Sequence, residues 1–246
     1  MKILVCVSKT PDTTAKISFN GDSTEFNAAG VQFIMNPYDE WYALVKALEI
    51  QESIGGSVTI INVGNADNET IIRKGLAIGA EAAVRINAEP KSAMFTAFQI
   101  AQYAKDNAFD LILTGKETID FNGAEVGAMI AEYLDLPFLS FANKLTLDGN
   151  KVTVSREIEG GAEIAEVELP FVASAAKDLA QQRIPNMRGI MMAKSKHLTV
   201  IEPVSFTETT ITKHFQLPPA KTSVKMVDAD NMDELVRLLH EEAKVI

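Results

Sequence analysis

Short apolar runs alternate with longer stretches of helical period through the first half of the chain. Residues 3–7, 58–63 and 111–113 are compact runs rich in Ile, Leu and Val, suited to strands buried on both faces. A weaker run at 82–86 reads the same way. Between them Trp41, Leu44, Val45 and Leu48 recur at helical spacing, and the segments 69–78 and 92–107 are helical too. Gly55-Gly56 and Gly79 mark helix ends. Asn36-Pro37 predicts a helix start, with Asn as the N-cap, Pro at the first helical position, and Asp39 and Glu40 at the positive end of the dipole. Strands alternating with helices predict an α/β fold, a parallel sheet with helices on both faces. Short loops and right-handed crossovers would bring residues 7–14, 63–67 and 114–123 to one rim.

The pattern changes near residue 145. Residues 151–158 and 162–169 read as strands around Glu159-Gly160-Gly161, a hairpin signal, and 170–174 is a short apolar strand. Residues 177–196 are rich in Arg, Met, Asn and Gly and show no clear apolar face. The stretch 202–225 holds Pro203, Pro218 and Pro219 and reads as extended, and Asp230 is expected to cap a final amphipathic helix bearing Leu235, Leu238 and Leu239. The expected organisation is a nucleotide-binding α/β domain over 1–200, including a loop at 183–196, and a C-terminal arm and helix over 201–246. An arm without its own core must pack on something, and a partner subunit is the natural candidate.

With 246 residues, 47% of them hydrophobic, the chain can bury one or two ordinary cores. Its net charge of −10 argues against a nucleic-acid binder, whose affinity rests on neutralising phosphates. The single cysteine, Cys6, rules out an internal disulfide and lies in an apolar run, as an inert buried thiol would. The three histidines, His197, His214 and His240, have no metal-ligand spacing, so no metal site is expected. No segment approaches the ~20 apolar residues that span a bilayer, and strand-like sequence begins at Ile3 without a signal peptide before it. Membrane insertion is not expected, and a cytoplasmic location is.

The common catalytic and nucleotide motifs are missing: no G-x-G-x-x-G follows the first strand, and there is no P-loop, nucleophile elbow or H-E-x-x-H. No pair of carboxylates stands out as acid and base, so no catalytic residue is expected. What remains is the stretch 111–129, LILTGKETIDFNGAEVGAM, which reads as strand, loop and helix. It sets backbone N–H groups, Lys116 and small residues at the carboxyl end of a parallel strand, where open α/β sheets bind ligands and helix starts favour phosphate. Each residue also has a plainer use. Gly115 can simply end a strand, Lys116 can be a solvated lysine, Asp120 and Asn122 can form an Asx turn, and Cys6 and Val63 can be core. Met187, Ile190 and Met191, with Ile184 among Arg183, Arg188 and Lys194, suit either an exposed docking loop or a helix end folded on the core. The residues alone lead to an α/β nucleotide-binding protein with an arm.

The combination resembles the electron transfer flavoprotein beta subunits from the first strand to the final helix. The matching segments are MKILVCVSKTPD, MNPYDEWYALVKALE, IRKGLAIGAEAAVRI, DLILTGKETIDFNGAEVGAMIAEYLDLP, VSREIEGGAEIAEVELP and RIPNMRGIMMAKSK. The resemblance implies a Rossmann-like, adenine-nucleotide-binding sheet and a heterodimer. In it an alpha subunit carries most contacts to a redox FAD, and the beta subunit buries a structural AMP. It implies electrons taken from dehydrogenases, such as the acyl-CoA dehydrogenases of fatty acid beta-oxidation, and passed to a quinone reductase or similar acceptor. In bifurcating relatives a second FAD takes the AMP pocket; REIEGGAEIAEVELP looks more like the non-bifurcating branch, so AMP is expected.

By resemblance, Cys6 and Val63 pack near the adenine, and Asn36, Pro37, Tyr38 and Asp39 lie by base or ribose. Gly115, Lys116 and Glu117 at the strand end, then Thr118, Ile119, Asp120 and Phe121, then Asn122, Gly123, Ala124, Glu125 and Val126 cradle phosphate. The family often has Gly-Asp where this chain has Phe121-Asn122, which removes a negative charge and adds bulk. Residues 183–196 correspond to a partner-recognition loop, with Arg183, Met187, Ile190 and Met191 facing a partner and Met187 standing where a leucine usually anchors. Glu157 matches a glutamate facing the mobile flavin domain, and Thr13 stands where some members place an aromatic near the flavin. The rivals are an ATP-cleaving enzyme of related fold and an ATP-binding stress module. The first would need a Ser- and Gly-rich loop where this chain has Ser8-Lys9-Thr10-Pro11-Asp12; the arm and Met-rich loop argue against the second.

Overall fold

Buried residues from Ile3 to Val7 place the first strand at the centre of a nine-stranded sheet. The computed structural model describes residues 1–220 and 223–246. In chain order β1 (Lys2–Cys6) is followed by a small antiparallel pair, β2 (Lys9–Pro11) and β3 (Phe33–Met35), then α1 (Asp39–Ile54) and β4 (Ser57–Val63). Next come α2 (Glu69–Ile78), β5 (Ala82–Ile86), α3 (Ala93–Asn107), β6 (Leu111–Gly115) and α4 (Val126–Leu134). The second half holds β7 (Phe138–Asp148), β8 (Lys151–Ile158), β9 (Gly161–Glu168), β10 (Phe171–Ala175), α5 (Met187–Ala193), β11 (Leu198–Ile201) and α6 (Met232–Arg237).

The sheet runs β11-β5-β4-β1-β6-β10-β7-β8-β9. It is parallel as far as β7, and β8 and β9 extend it as an antiparallel hairpin. This is the expected α/β fold. Helices α1 and α2 cover one face, where Leu44, Leu48, Ile72 and Leu76 meet Ile3, Val5 and Ile60. Helices α3 and α4 cover the other, where Ala97, Ile100, Ile130 and Ala131 meet Leu4, Ile61 and Ile112. Strand order reverses at β1, which pairs with β4 on one side and β6 on the other. In open parallel sheets that reversal leaves a crevice outside the carboxyl ends of the strands.

Several expectations are corrected. Asn36 does not cap α1: the helix begins at Asp39 after Tyr38, whose φ is 64°, and no side chain caps it. The Asn36 amide is drawn instead to the loop after β6, and Pro37 lies outside the helix. The final helix is capped by Asn231, which accepts from Glu234 N, while Asp228 accepts from Asp230 N in the preceding turn. Within 177–196 a helix, α5, forms with Asn186 as its cap. Strand β7 had no clear signal because a bulge between Ala142 and Lys144 breaks its alternation, and its two ends pair with different neighbours, β10 and β8.

The chain divides into two compact units, Met1–Ile17 with Ala28–Thr212, and Ser18–Asn27 with Lys213–Ile246. In the first, the stretch after β11 lies on α3: Gln99 exchanges hydrogen bonds with the Val204 backbone at 2.7 and 2.8 Å, and Phe206 meets Phe95 and Phe98. In the second, Phe19 stacks on Phe215 at 4.9 Å, and Arg237 ties α6 through Glu234 and Glu241. Among the described residues no helix is long and apolar enough to cross a membrane.

Candidate functional site

The carboxyl ends of β1, β4 and β6 carry three loops that the structure stitches together. After β1, Val7 N donates to Ile61 O, and Asn62 Nδ2 returns a bond to Val7 O at 2.8 Å. Asn68 Nδ2 donates to Asn62 Oδ1 at 3.0 Å, so a buried amide pair ties the turn after β4 to the same point. Lys9 reaches Asp67 at 2.5 Å from above, with its ammonium 4.6 Å from the Phe33 ring centre. The loops after β1, β4 and β6 thus share one rim, although of the expected 114–123 only the part up to Ile119 is tied into it.

Asn36 is the hinge pin of that rim. It is fully buried, its N–H donates to Ser8 O, its Nδ2 donates to Glu117 O at 3.0 Å, and its Oδ1 accepts from Ile119 N at 3.1 Å. One side chain therefore satisfies two backbone groups of the 116–125 loop, which a buried amide must do to offset its own desolvation. Beyond Ile119 the loop turns outward. Asp120 through Glu125 are exposed, Phe121 at 74%, and Asn122 and Ala124 take left-handed φ values of 50° and 53°. Val126 then begins α4 with no side-chain cap bond on Glu125.

Glu40 was missed as a site residue. Sequence alone assigns it only a place at the positive end of the helix dipole, yet it is buried. Ser8 N and Ser8 Oγ donate to its two carboxylate oxygens at 2.6 and 2.7 Å. Burial pushes its pKa up to about 8, against the pull of the Ser8 hydrogen bonds, and Asp120 and Asp39 add to the rise. The available signal was its place on the apolar stripe of α1, one turn before Leu44 and two before Leu48. Gly115 lies against it: a Cβ there would stand 2.8 Å from Glu40 Cγ and 3.1 Å from Glu40 N. Only glycine lets the first turn of α1 approach the end of β6 so closely.

Cys6 and Val63 are buried in the same cluster, on the face covered by α3 and α4. Burial raises the Cys6 thiol, with Glu40 adding to the rise, which disfavours the nucleophilic thiolate. Lys116 pairs with Glu117 at 2.8 Å; that contact raises its pKa, with help from Asp39, against desolvation. Asp39 is itself raised by burial, with Lys116 opposing. Thr10 Oγ1 and Thr114 Oγ1 are buried with no hydrogen-bond partner among the described residues. Tyr38 is exposed at the rim.

The 183–196 segment lies elsewhere, against α1 and α2. Trp41 Nε1 donates to Arg183 O at 2.9 Å, and the Arg183 guanidinium forks onto Glu52 at 2.6 and 2.9 Å. Met187, Ile190 and Met191 stay exposed, while Ala193 is buried. Beneath the segment is a cavity of about 380 Å³, and a second of about 270 Å³ lies between residues 12–16 and 29–32. Glu157 is exposed on β8, remote in sequence from the rim. Among the described residues no group of three or more His, Cys, Asp or Glu side chains could hold a metal ion.

Residues 24–205 match the family described as the electron transfer flavoprotein domain. The chain is 35% identical over 260 residues to the electron transfer flavoprotein subunit beta of Bacillus subtilis, covering all of both chains. It is 32% identical over 255 residues to the human subunit beta, covering all of this chain and 99% of the other. With the Megasphaera elsdenii subunit beta it shares 34% over 209 residues, 80% of this chain and 77% of that one.

Proposed function

Because the chain belongs to the family of electron transfer flavoprotein beta subunits, we propose that it holds a structural AMP at the rim of β1, β4 and β6 and helps an alpha subunit hold a redox FAD. Its role is electron transfer with a flavin, as one half of a pair with an alpha subunit. The carrying observation is the buried Asn36 amide, which shapes the 116–125 loop from below and leaves its outer part exposed beside the start of α4. A helix start with no side-chain cap suits an anion.

The residues present fit an adenylate. Thr114 Oγ1 is an unsatisfied buried hydroxyl at the end of β6. Burial pushes Glu40 up to about 8, which weakens its share in the negative field that Asp39, Glu117 and Asp120 would set against a phosphate. Cys6 and Val63 form the apolar wall for the base. Asn36, Pro37, Tyr38 and Asp39 border the ribose, and the backbone from Gly115 to Val126, with Lys116, faces the phosphate. Flavin, when bound between the subunits, supplies the redox chemistry. This chain's residues orient, exclude water and dock; none serves as acid, base or nucleophile.

Docking falls to Met187, Ile190 and Met191 with Arg183, and Glu157 faces the flavin-bearing side of the partner. The segment 183–196 has four cations and no carboxylate in a chain of net charge −10; with Arg183 on Glu52 and Lys196 on the end of α2, Arg188 and Lys194 are the charges it offers to an acidic, apolar-pocketed donor such as an acyl-CoA dehydrogenase. A quinone reductase is the matching acceptor, and the arm over 201–246, whose first residues are already taken up by β5 and α3, packs on the alpha subunit through its remainder. Co-expression with the alpha subunit, followed by nucleotide extraction, tests the reading. FAD and AMP in equal amounts are expected. Two flavins and no AMP would replace the adenylate with a second redox site, and a colourless stable monomer would overturn the whole reading.

A further inference from the structure

Two cations fasten the 183–196 segment to α2, and each closes the carbonyl end of the other's helix. Lys196 Nζ donates to Leu76 O at 2.9 Å, Gly79 O at 3.2 Å and Ala80 O at 2.6 Å. These carbonyls lie at and just past the C-terminus of α2, where intrahelical donors run out and a cation complements the dipole. Arg73 of α2 returns the favour. Its Nη1 donates to Ala193 O at 2.9 Å and Lys196 O at 2.8 Å, at the end of α5, while Glu69 holds its Nε and Nη2.

Packing alone does not seat this segment. The cavity of about 380 Å³ lies between it and the end of α2, lined in part by Ala77, Gly79, Ile184, Met192 and Lys196. Helix α5 has seven residues, too few to hold its shape in isolation. Its outward residues are free of the core, Met187 being 73% and Met191 69% exposed, as is Ile184 just before it, at 87%. Burial lowers the Lys196 pKa, with Glu81 opposing, as befits an ammonium that works against the fold rather than in solvent.

We propose that Lys196, with Arg73, is a positioning residue for electron-donor docking: it touches no partner, and it fixes the orientation in which Met187, Ile190 and Met191 are presented. The proposal rests on the reading of 183–196 as the docking surface. Anchors held in their bound arrangement lose less freedom on association, so the clamp acts on the encounter and not on transfer within the complex.

The test uses the purified FAD-containing heterodimer and an acyl-CoA dehydrogenase that reduces the wild type. Rates are followed against heterodimer concentration, and amide exchange is followed over 187–196. Lys196→Met is expected to raise KM for the heterodimer about fivefold, to leave kcat and flavin content unchanged, and to speed exchange over 187–196. Lys196→Arg, which keeps a cation able to reach the carbonyls, is expected to restore most of the affinity. Lys194→Met, at an exposed lysine, is expected to leave exchange as it was. Should Met187→Ala raise KM while Lys196→Met changes neither KM nor exchange, the positioning role is overturned. Equal KM rises for Lys194→Met and Lys196→Met without faster exchange would overturn it in favour of plain charge steering. Faster exchange in Lys196→Met with KM unmoved in both it and Met187→Ala would remove the docking reading and the positioning role together, leaving a clamp of structural use only.

Discussion

Glu40 carries the clearest residue-level consequence of the fold. Its hydrogen bonds come from Ser8, and burial outweighs them, pushing the carboxyl up to about 8 from an ordinary value of 4.5. Between those two values the unfolded chain gives up a proton that the folded chain keeps. The group's contribution to stability is therefore fully present below the unfolded pKa and is lost as pH rises through the folded one. Glu40→Gln removes the titration and can keep both contacts, its carbonyl accepting from Ser8 N while its amide donates to Ser8 Oγ. Urea unfolding of both proteins at about pH 5 and about pH 9 should show the variant gaining on the wild type at the higher pH. Parallel stabilities at the two pH values would mean that Glu40 is ionised at little cost, through rearrangement or entry of water.

At the level of elements, α5 is the most exposed to a single change. Gly189 sits on the backbone of α2: an added Cβ would meet Ala77 O at 2.5 Å, a rigid carbonyl that has nowhere to go. Gly189→Ala should push α5 off α2, cost about 1–3 kcal/mol, and slow electron uptake from a dehydrogenase while FAD content holds. A thermal scan with uptake kinetics checks it, and unchanged values in both would show that the helix is not seated there. Nothing in the sequence pointed to this contact, since a glycine among Arg, Met and Asn reads as loop. The legible elements were those with a single period and a single environment, namely β1, β4, β6, β10 and the helices α1 to α4, together with the β8–β9 hairpin marked by its Gly-Gly turn. Strand β7 escaped because it changes partner and sense at a bulge, and α5 escaped because seven residues carry too little periodicity. Asn36 misled because an Asn-Pro pair satisfies the rules for a helix start, while the loop that claims its amide lies 81 to 83 residues further on. Local rules cannot register that competition. The rim itself was legible, since the rule placing strand ends and loops together needs only the order of elements; Glu40 and Thr114, buried within it, were not.

Taken as a whole, the molecule builds its rim from segments far apart in sequence: Ser8 after β1, Asn36 and Glu40 around the start of α1, Asn62 on β4, and Glu117 after β6. A ligand that touches all of these segments opposes their separation, so its binding free energy adds to the free energy of global unfolding. For a single site this addition is RT ln(1 + [L]/Kd), about 2.7 kcal/mol at a hundredfold excess over Kd. Heterodimer stripped of AMP and titrated with it should rise in unfolding midpoint along that curve. Adenosine separates the two halves of the site, since it keeps the base for the Cys6 and Val63 wall but offers no phosphate to the 115–126 backbone or to Lys116. Its stabilisation should fall well below that of AMP, and guanosine monophosphate, with the phosphate but a different base edge, should also fall short. Adenosine matching AMP would strip the loop of its phosphate role. Equal stabilisation by both monophosphates would make the loop dominant and the wall unselective. No shift with any of the three would place the nucleotide elsewhere in the heterodimer and leave the Asn36 clamp as a device for folding alone.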